Sequence, residues 1–155
     1  MFNEPYGSKV IVALAVGLGK SFTAAQIANQ LSNQLGRPAR TLWLARQTQL
    51  VYQPTKYFEG KKIGMEMGKY KSKGDEELII ATVQSLHRRL DRFQPDDFDL
   101  IIADECQEAK GKQYSDVINY FKTKYTVGLS GTPFRLDGKK LTDGLFDKIV
   151  YQKDI

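Results

Sequence analysis

Asp104 and Glu105 stand side by side at the end of an apolar run, LIIADECQEAK (residues 100–110), with Cys106 and Gln107 directly behind them. Three chemistries could use such a cluster. Adjacent carboxylates can hold a divalent cation, a thiol can act as a nucleophile, and an acidic pair at a strand end can serve a nucleotide hydrolase. A thiol nucleophile needs a base or a cationic neighbour, and beside two carboxylates the Cys106 thiol is expected to titrate high, as a small, half-buried packing residue. A zinc cluster is excluded, because Cys106 and His87 are the only cysteine and histidine in the chain. His87 sits beside Arg88 and Arg89 in a helical stretch and reads as a surface or boundary residue.

A second group decides between the remaining two. Gly17-Leu18-Gly19-Lys20-Ser21 follows the apolar run KVIVALA (9–15) and precedes a helical pattern. Glycines let backbone N–H groups curl around phosphate oxygens, and the helix N-terminus adds a favourable dipole. Lys20 is placed to reach β- and γ-phosphates, and Ser21 to ligate Mg²⁺. The strict form of this loop opens with glycine where Leu14 stands here, so the match is incomplete. With a phosphate loop upstream, Asp104 fits the role of holding Mg²⁺ and Glu105 that of orienting the attacking water. Both can serve one site only if the strand ends there, as Gln107 and Lys110 suggest.

The elements that must position these groups alternate. Strands are expected at 9–15, 40–45, 61–68 (weak), 78–83, 98–104 and 124–132, with a polar, glycine-containing tail after the last. Helices are expected at 21–35, where Ala24, Ile27, Ala28, Leu31 and Leu35 form one face, at 48–53, at 85–93 with Leu86, Leu90 and Phe93 on one face, and at 112–121. KYKSKGDEE (69–77) reads as a charged, solvated turn. Strands alternating with helices give an α/β fold with a mostly parallel sheet, and in such sheets ligands sit at the carboxyl ends of the strands. Three further segments end there: LARQTQLVYQ (44–53), ATVQSL (81–86) and GLSGTPFR (128–135). Their hydroxyl, amide and arginine groups suit a phosphate backbone, although Thr82 and Ser85 taken singly read as helix caps.

Composition sets the outer bounds. A chain of 155 residues is the size of one domain, and with 41% hydrophobic and 26% charged residues it can build an ordinary soluble core. The net charge of +5 is compatible with a polyanionic partner. No apolar run is long enough to span a bilayer and no signal-peptide pattern opens the sequence, so a cytoplasmic, reducing location without membrane contact is expected.

Taken in order, these segments resemble the first RecA-like domain of superfamily 2 helicases and translocases, in particular the group related to the type III restriction enzyme Res subunit. VGLGKS resembles motif I, LARQTQLVYQ motif Ia, ATVQSL the motif between Ia and II, IIADECQEA the DEAH-type box and GLSGTPFRLDG motif III. The resemblance spans about residues 9–150 and implies a RecA-like three-layer sandwich over 1–155, without the second RecA-like domain. It implies ATP and Mg²⁺ as cofactors. Gly17, Leu18, Gly19, Lys20, Ser21 and Asp104 are then the nucleotide site, with Ser21 and Asp104 on Mg²⁺ and Glu105 as catalytic base. Gln107 stands where the family usually has histidine or aspartate, which implies weakened coupling. Ser130 and Thr132 would link nucleotide state to nucleic-acid grip, and Arg46, Gln47, Thr82 and Arg135 would hold the strand backbone. DNA is favoured over RNA, and a second RecA-like domain, in cis or in trans, is the expected partner. Its missing arginine finger would leave hydrolysis slow.

Two other readings compete. One is a binding module that grips nucleic acid or a larger helicase without turnover; the other is an unrelated P-loop kinase or transferase, for which no arginine-rich lid segment is evident.

Overall fold

Ser8–Ala13 (β1) runs bare of polar alternation because both of its faces are covered. The computed structural model describes residues 4–14, 19–45, 58–104, 106, 111–131 and 145–152. Among them, β1 is followed by α1 (Lys20–Leu35), β2 (Thr41–Ala45), β3 (Ile63–Glu66), β4 (Leu78–Thr82) and α2 (Val83–His87). A 3-10 turn (Leu90–Arg92), β5 (Leu100–Ala103), α3 (Lys112–Tyr120), β6 (Tyr125–Ser130) and β7 (Lys148–Gln152) complete the described elements. The strands form one sheet in the order β3-β4-β2-β5-β6-β1-β7, and every pairing is parallel.

Two apolar layers sandwich this sheet, and the alternation of side chains along each strand sorts residues between them. Val10, Val12, Trp43, Ile80, Ile102 and Val127 face α1, whose Ala24, Ala28 and Leu31 are buried against them. Ile11, Leu42, Ile79 and Ile101 face the other way, toward Leu86 of α2 and Val117 and Ile118 of α3. The expected α/β three-layer architecture is therefore present. Gly36 ends α1 in the left-handed conformation (φ 69°), with its N–H on the Ser32 carbonyl at 2.9 Å.

The amino edge is pinned by Asp99. The Arg37 guanidinium grips its carboxylate at 2.8 and 2.9 Å, and the Arg40 N–H donates to it at 2.9 Å. Burial pushes the Asp99 carboxyl up, but these partners outweigh it and hold it below the usual aspartate range.

Two expectations need correction. The stretch 85–93 is not one helix: α2 stops at His87, Arg89 leaves helical geometry (φ −125°, ψ 18°), and a 3-10 turn follows. Leu86 and Phe93 are nevertheless buried and Leu90 packs beside them, so the apolar spacing was a true core signal attached to a broken element. The polar tail contains β7, an edge strand paired with β1. The expected helix at 48–53 lies outside the described residues.

Candidate nucleotide site

Parallel register brings the ends of the strands into one row. Ala13 pairs with Ser130, Ala103 with Gly128, Leu44 with Ala103, and Ala45 with Thr82. The Leu14 N–H on the Ser130 carbonyl (2.8 Å) and the Asp104 N–H on the Leu44 carbonyl (3.0 Å) carry the ladder one residue further. Asp104, Ser130 and Leu14 therefore lie side by side at the carboxyl edge, with Ser130 on the middle strand.

The chain then returns toward this edge through Gly19 and enters α1 with Lys20. Strands lie about 4.8 Å apart, so β1 and β5, separated by β6, are about 10 Å apart. α1 packs against β6, the strand between them. The Lys20 Nζ comes within 3.7 Å of Asp104 Oδ1, and both side chains are largely buried. A cation in the first helical turn opposes the helix dipole, and that turn of α1 contains no acidic residue. Asp104 supplies one negative partner from another strand; the same dipole and cation invite a second anion.

Gly19 is in the left-handed region (φ 83°, ψ 46°), and a Cβ added there would meet nothing closer than the Cβ of Phe22 at 3.5 Å. The requirement for glycine is thus conformational rather than steric. Gly19→Ala is expected to cost about 1–2 kcal/mol in urea unfolding, the usual penalty of an L-residue in that conformation.

Of the residues singled out from the sequence, Gly19, Lys20, Ser21, Asp104, Ser130 and Thr82 fall on described residues. Lys20 and Asp104 are brought together, Ser21 follows Lys20 in the same turn, and Ser130 is wholly buried between the two strands. Thr82 is buried, and its hydroxyl accepts the Ser85 N–H at 3.3 Å, capping α2. Gly17, Leu18, Glu105, Gln107, Thr132, Arg46, Gln47 and Arg135 lie outside the described residues. His87 is half-buried and meets Asp116 of α3 at 3.1 Å, joining two helices as a boundary residue does.

The sequence reading missed how the turn after Asp104 is seated. Cys106 is wholly buried rather than half-buried, and it sits on Gly128 of β6. Tyr114 of α3 is buried close by, and its hydroxyl has no partner among the described residues. Burial pushes the phenol far up, with Cys106 and Asp104 adding to the effect. A glycine in the interior of a strand signals a close approach and could have exposed this contact.

A parallel α/β sheet whose carboxyl edge sets the first lysine of a helix against an acid ending a strand two places away is the arrangement of a RecA-like domain. The chain belongs to the family of the type III restriction enzyme Res subunit, which it matches over residues 4–135. It is 34% identical over 165 aligned positions to IRC3 of Saccharomyces cerevisiae, a protein named as an ATP-dependent helicase, covering 96% of this chain and 24% of that protein. It is 29% identical to the EcoAI type I restriction enzyme endonuclease subunit of Escherichia coli, over 92% of this chain and 19% of that subunit. The chain thus spans about a quarter or less of the curated relatives it matches. In three dimensions it resembles the Hef helicase domain of Pyrococcus furiosus, with a TM-score of 0.74 and 24% identity, covering 95% of this chain and 35% of that one. At that identity the likeness establishes the fold.

Proposed function

We propose that this chain is the ATP-binding half of an ATP-dependent DNA helicase or translocase. The observation that carries the reading is the Lys20 ammonium at the start of α1 facing the buried Asp104 carboxylate across the sheet's carboxyl edge. In this role Lys20 holds the β- and γ-phosphates, while Ser21 and Asp104 hold Mg²⁺. The donor set fits that ion, because the Asp104 carboxylate and the Ser21 hydroxyl are hard oxygen ligands. A cation here would take its remaining ligands from phosphate and water, as Mg²⁺ does. Bound Mg-ATP supplies an electrophilic phosphorus with its charge partly neutralised. Glu105 orients the attacking water, Ser130 and Thr132 relay the nucleotide state, and Gln107, in place of the family's histidine or aspartate, weakens that relay. Arg46, Gln47, Thr82 and Arg135 contact the nucleic-acid backbone. DNA is favoured over RNA, because the family takes its name from a restriction enzyme subunit.

A second RecA-like domain, in cis or in trans, would complete the motor. An arginine finger supplied from outside is worth roughly 10³–10⁵ in rate, so this domain alone should bind nucleotide and turn it over slowly. A cytoplasmic setting is part of this proposal, and no helix among the described residues is long and apolar enough to cross a membrane.

Titration with fluorescent ADP and Mg²⁺ tests the reading. Saturable binding is expected. Lys20→Ala should weaken it about 10- to 100-fold, the worth of a charged hydrogen bond of roughly 1.5–3 kcal/mol. Absence of binding up to millimolar nucleotide, or an unchanged affinity in the variant, would refute the assignment.

A further inference from the structure

The lysine-rich segment after β3, which reads as a solvated turn, is fastened from within. Glu66 ends β3 with its side chain wholly buried. Its Oε1 accepts the Ser72 N–H and hydroxyl, each at 2.9 Å, and Arg92 at 2.8 Å; its Oε2 accepts Arg89 at 3.0 Å. The same two guanidiniums hold the loop's carbonyls. Arg89 donates to Gly68 and, at 3.0 Å, to Tyr70, and Arg92 donates to Ser72 at 3.1 Å. Three alternate carbonyls therefore turn inward around an ion triad whose carboxylate is wholly buried.

The outer side of the loop is different. Lys69, Lys71 and Lys73 are exposed, and the carboxylate that Lys73 feels, Asp75, is itself paired with Lys62. Tyr70 is 54% exposed, a large aromatic left in water. The Lys69 ammonium lies 5.6 Å from the Tyr70 ring centroid, so charge and aromatic face form one patch. The inner triad carries two arginines against one glutamate, so it does not neutralise the outer lysines.

The patch leaves β3 at the carboxyl edge, the edge that holds the nucleotide site, and the Gly68 N–H is tied to the Ser85 hydroxyl of α2 at 3.4 Å. β3 lies five strands from β1. At about 4.8 Å per strand that is about 24 Å, too far for these lysines to serve the phosphates held at Lys20. The patch is therefore separate from the nucleotide site.

We propose that the Gly68–Gly74 loop is a preformed nucleic-acid contact, gripping backbone phosphates with Lys69, Lys71 and Lys73 and stacking an unpaired base on Tyr70. Fixed carbonyls leave only side-chain freedom to be lost on binding, which favours contact by a loop already in shape. The inference rests on the proposed nucleic-acid partner and adds an element that none of the motif segments contains.

The test uses the whole chain and two fluorescent probes, oligo-dT and an abasic oligonucleotide of equal length, across a salt series. Tyr70→Ala should weaken oligo-dT binding about 5- to 100-fold, the range of one base stacked on an aromatic ring, and leave the abasic probe nearly unchanged. The triple change Lys69→Ser, Lys71→Ser, Lys73→Ser should weaken both probes and make the salt slope shallower by about 2, since each lost phosphate contact removes roughly 0.7 on a single strand. A control removes the same charge from the amino edge at Lys61, Lys62 and Lys122, and should change the slope little. Both sets should retain ADP binding. If the native chain binds DNA but the loop set behaves as the control does, the inference fails and the nucleic-acid reading stands. Tighter binding to anionic vesicles than to either oligonucleotide would assign the patch to a membrane and overturn the inference. If the native chain binds no nucleic acid, both fall together.

Discussion

Replacing Glu66 with alanine should lower the unfolding free energy by about 2–4 kcal/mol. Breaking a buried ion pair typically costs roughly 3–5 kcal/mol, because one charge is left uncompensated. Here the partners left behind, Arg89 and Arg92, retain 19% and 37% side-chain exposure, so they can recover water and the figure must be discounted. For a domain of this size each kcal/mol moves Tm by roughly 2–4 °C, so a drop of roughly 5–15 °C is expected in calorimetry. The alternative is that the triad contributes nothing, in which case Tm would stay within a degree or two. Glu66→Gln should separate charge from packing. Burial pushes the Glu66 carboxyl up, but bonds from Ser72, Arg92 and Arg89 outweigh it and hold it below the ordinary glutamate range. Folding therefore favours the ionised form. Its contribution is complete above the unfolded value of about 4.3 and is lost as pH falls through the lower folded value. The stability gap between the native chain and Glu66→Gln should accordingly be widest near neutrality and close as the pH drops below about 4.3. A gap independent of pH would mean that the carboxylate's charge plays no part.

What the sequence could and could not reveal follows from the range of the forces involved. β2, β4 and β5 were legible because a strand covered on both faces needs apolar side chains at every position, as in LIIA at 100–103. α1 was legible because one face packs on the sheet and its apolar spacing is local. The pairing of Lys20 with Asp104 was also within reach, since strand order is not needed to see that both end or follow apolar strands. Its physical cause, α1 seated on β6 next to the strand that ends in Asp104, required the order β5-β6-β1.

β7 escaped because an edge strand has one neighbour, and KIVYQ is a short run closing a long polar, glycine-containing stretch. The Glu66 triad escaped because its partners are 23 and 26 residues away and belong to a segment whose pattern suggested a continuous helix. Arg89 leaves helical geometry at the point where its guanidinium turns to Glu66. Periodicity describes what a helix would bury; it does not describe a charge that the tertiary structure draws away from it.

Gly128→Ala should cost about 1–3 kcal/mol, the usual cost of overpacking a filled core, and should reach the nucleotide site as well. A Cβ built on Gly128 would stand 2.8 Å from both the Cβ and Sγ of Cys106 and 2.9 Å from the Phe146 ring. Neither neighbour can swing into solvent, since Cys106 is wholly buried and Phe146 nearly so. Gly128 pairs with Ala103, the residue before Asp104, so the added methyl must push on the turn that carries the acid facing Lys20. A loss of about tenfold in ADP affinity is expected, equivalent to one weakened charged contact of about 1.4 kcal/mol. The cause can be isolated with a double-mutant cycle. Cys106→Ala removes the sulfur but leaves the Cβ, so it should relieve part of the clash. The double variant should then be more stable than the sum of the single changes by about 0.5–2 kcal/mol, and should regain part of the lost affinity. Strict additivity in urea unfolding would show that the methyl acts elsewhere. Additivity in stability with recovered affinity would show that the turn after Asp104 moves independently of the core beneath it. The close approach at Gly128 predicts neither, because the contact that seats Cys106 also fixes where β5 ends.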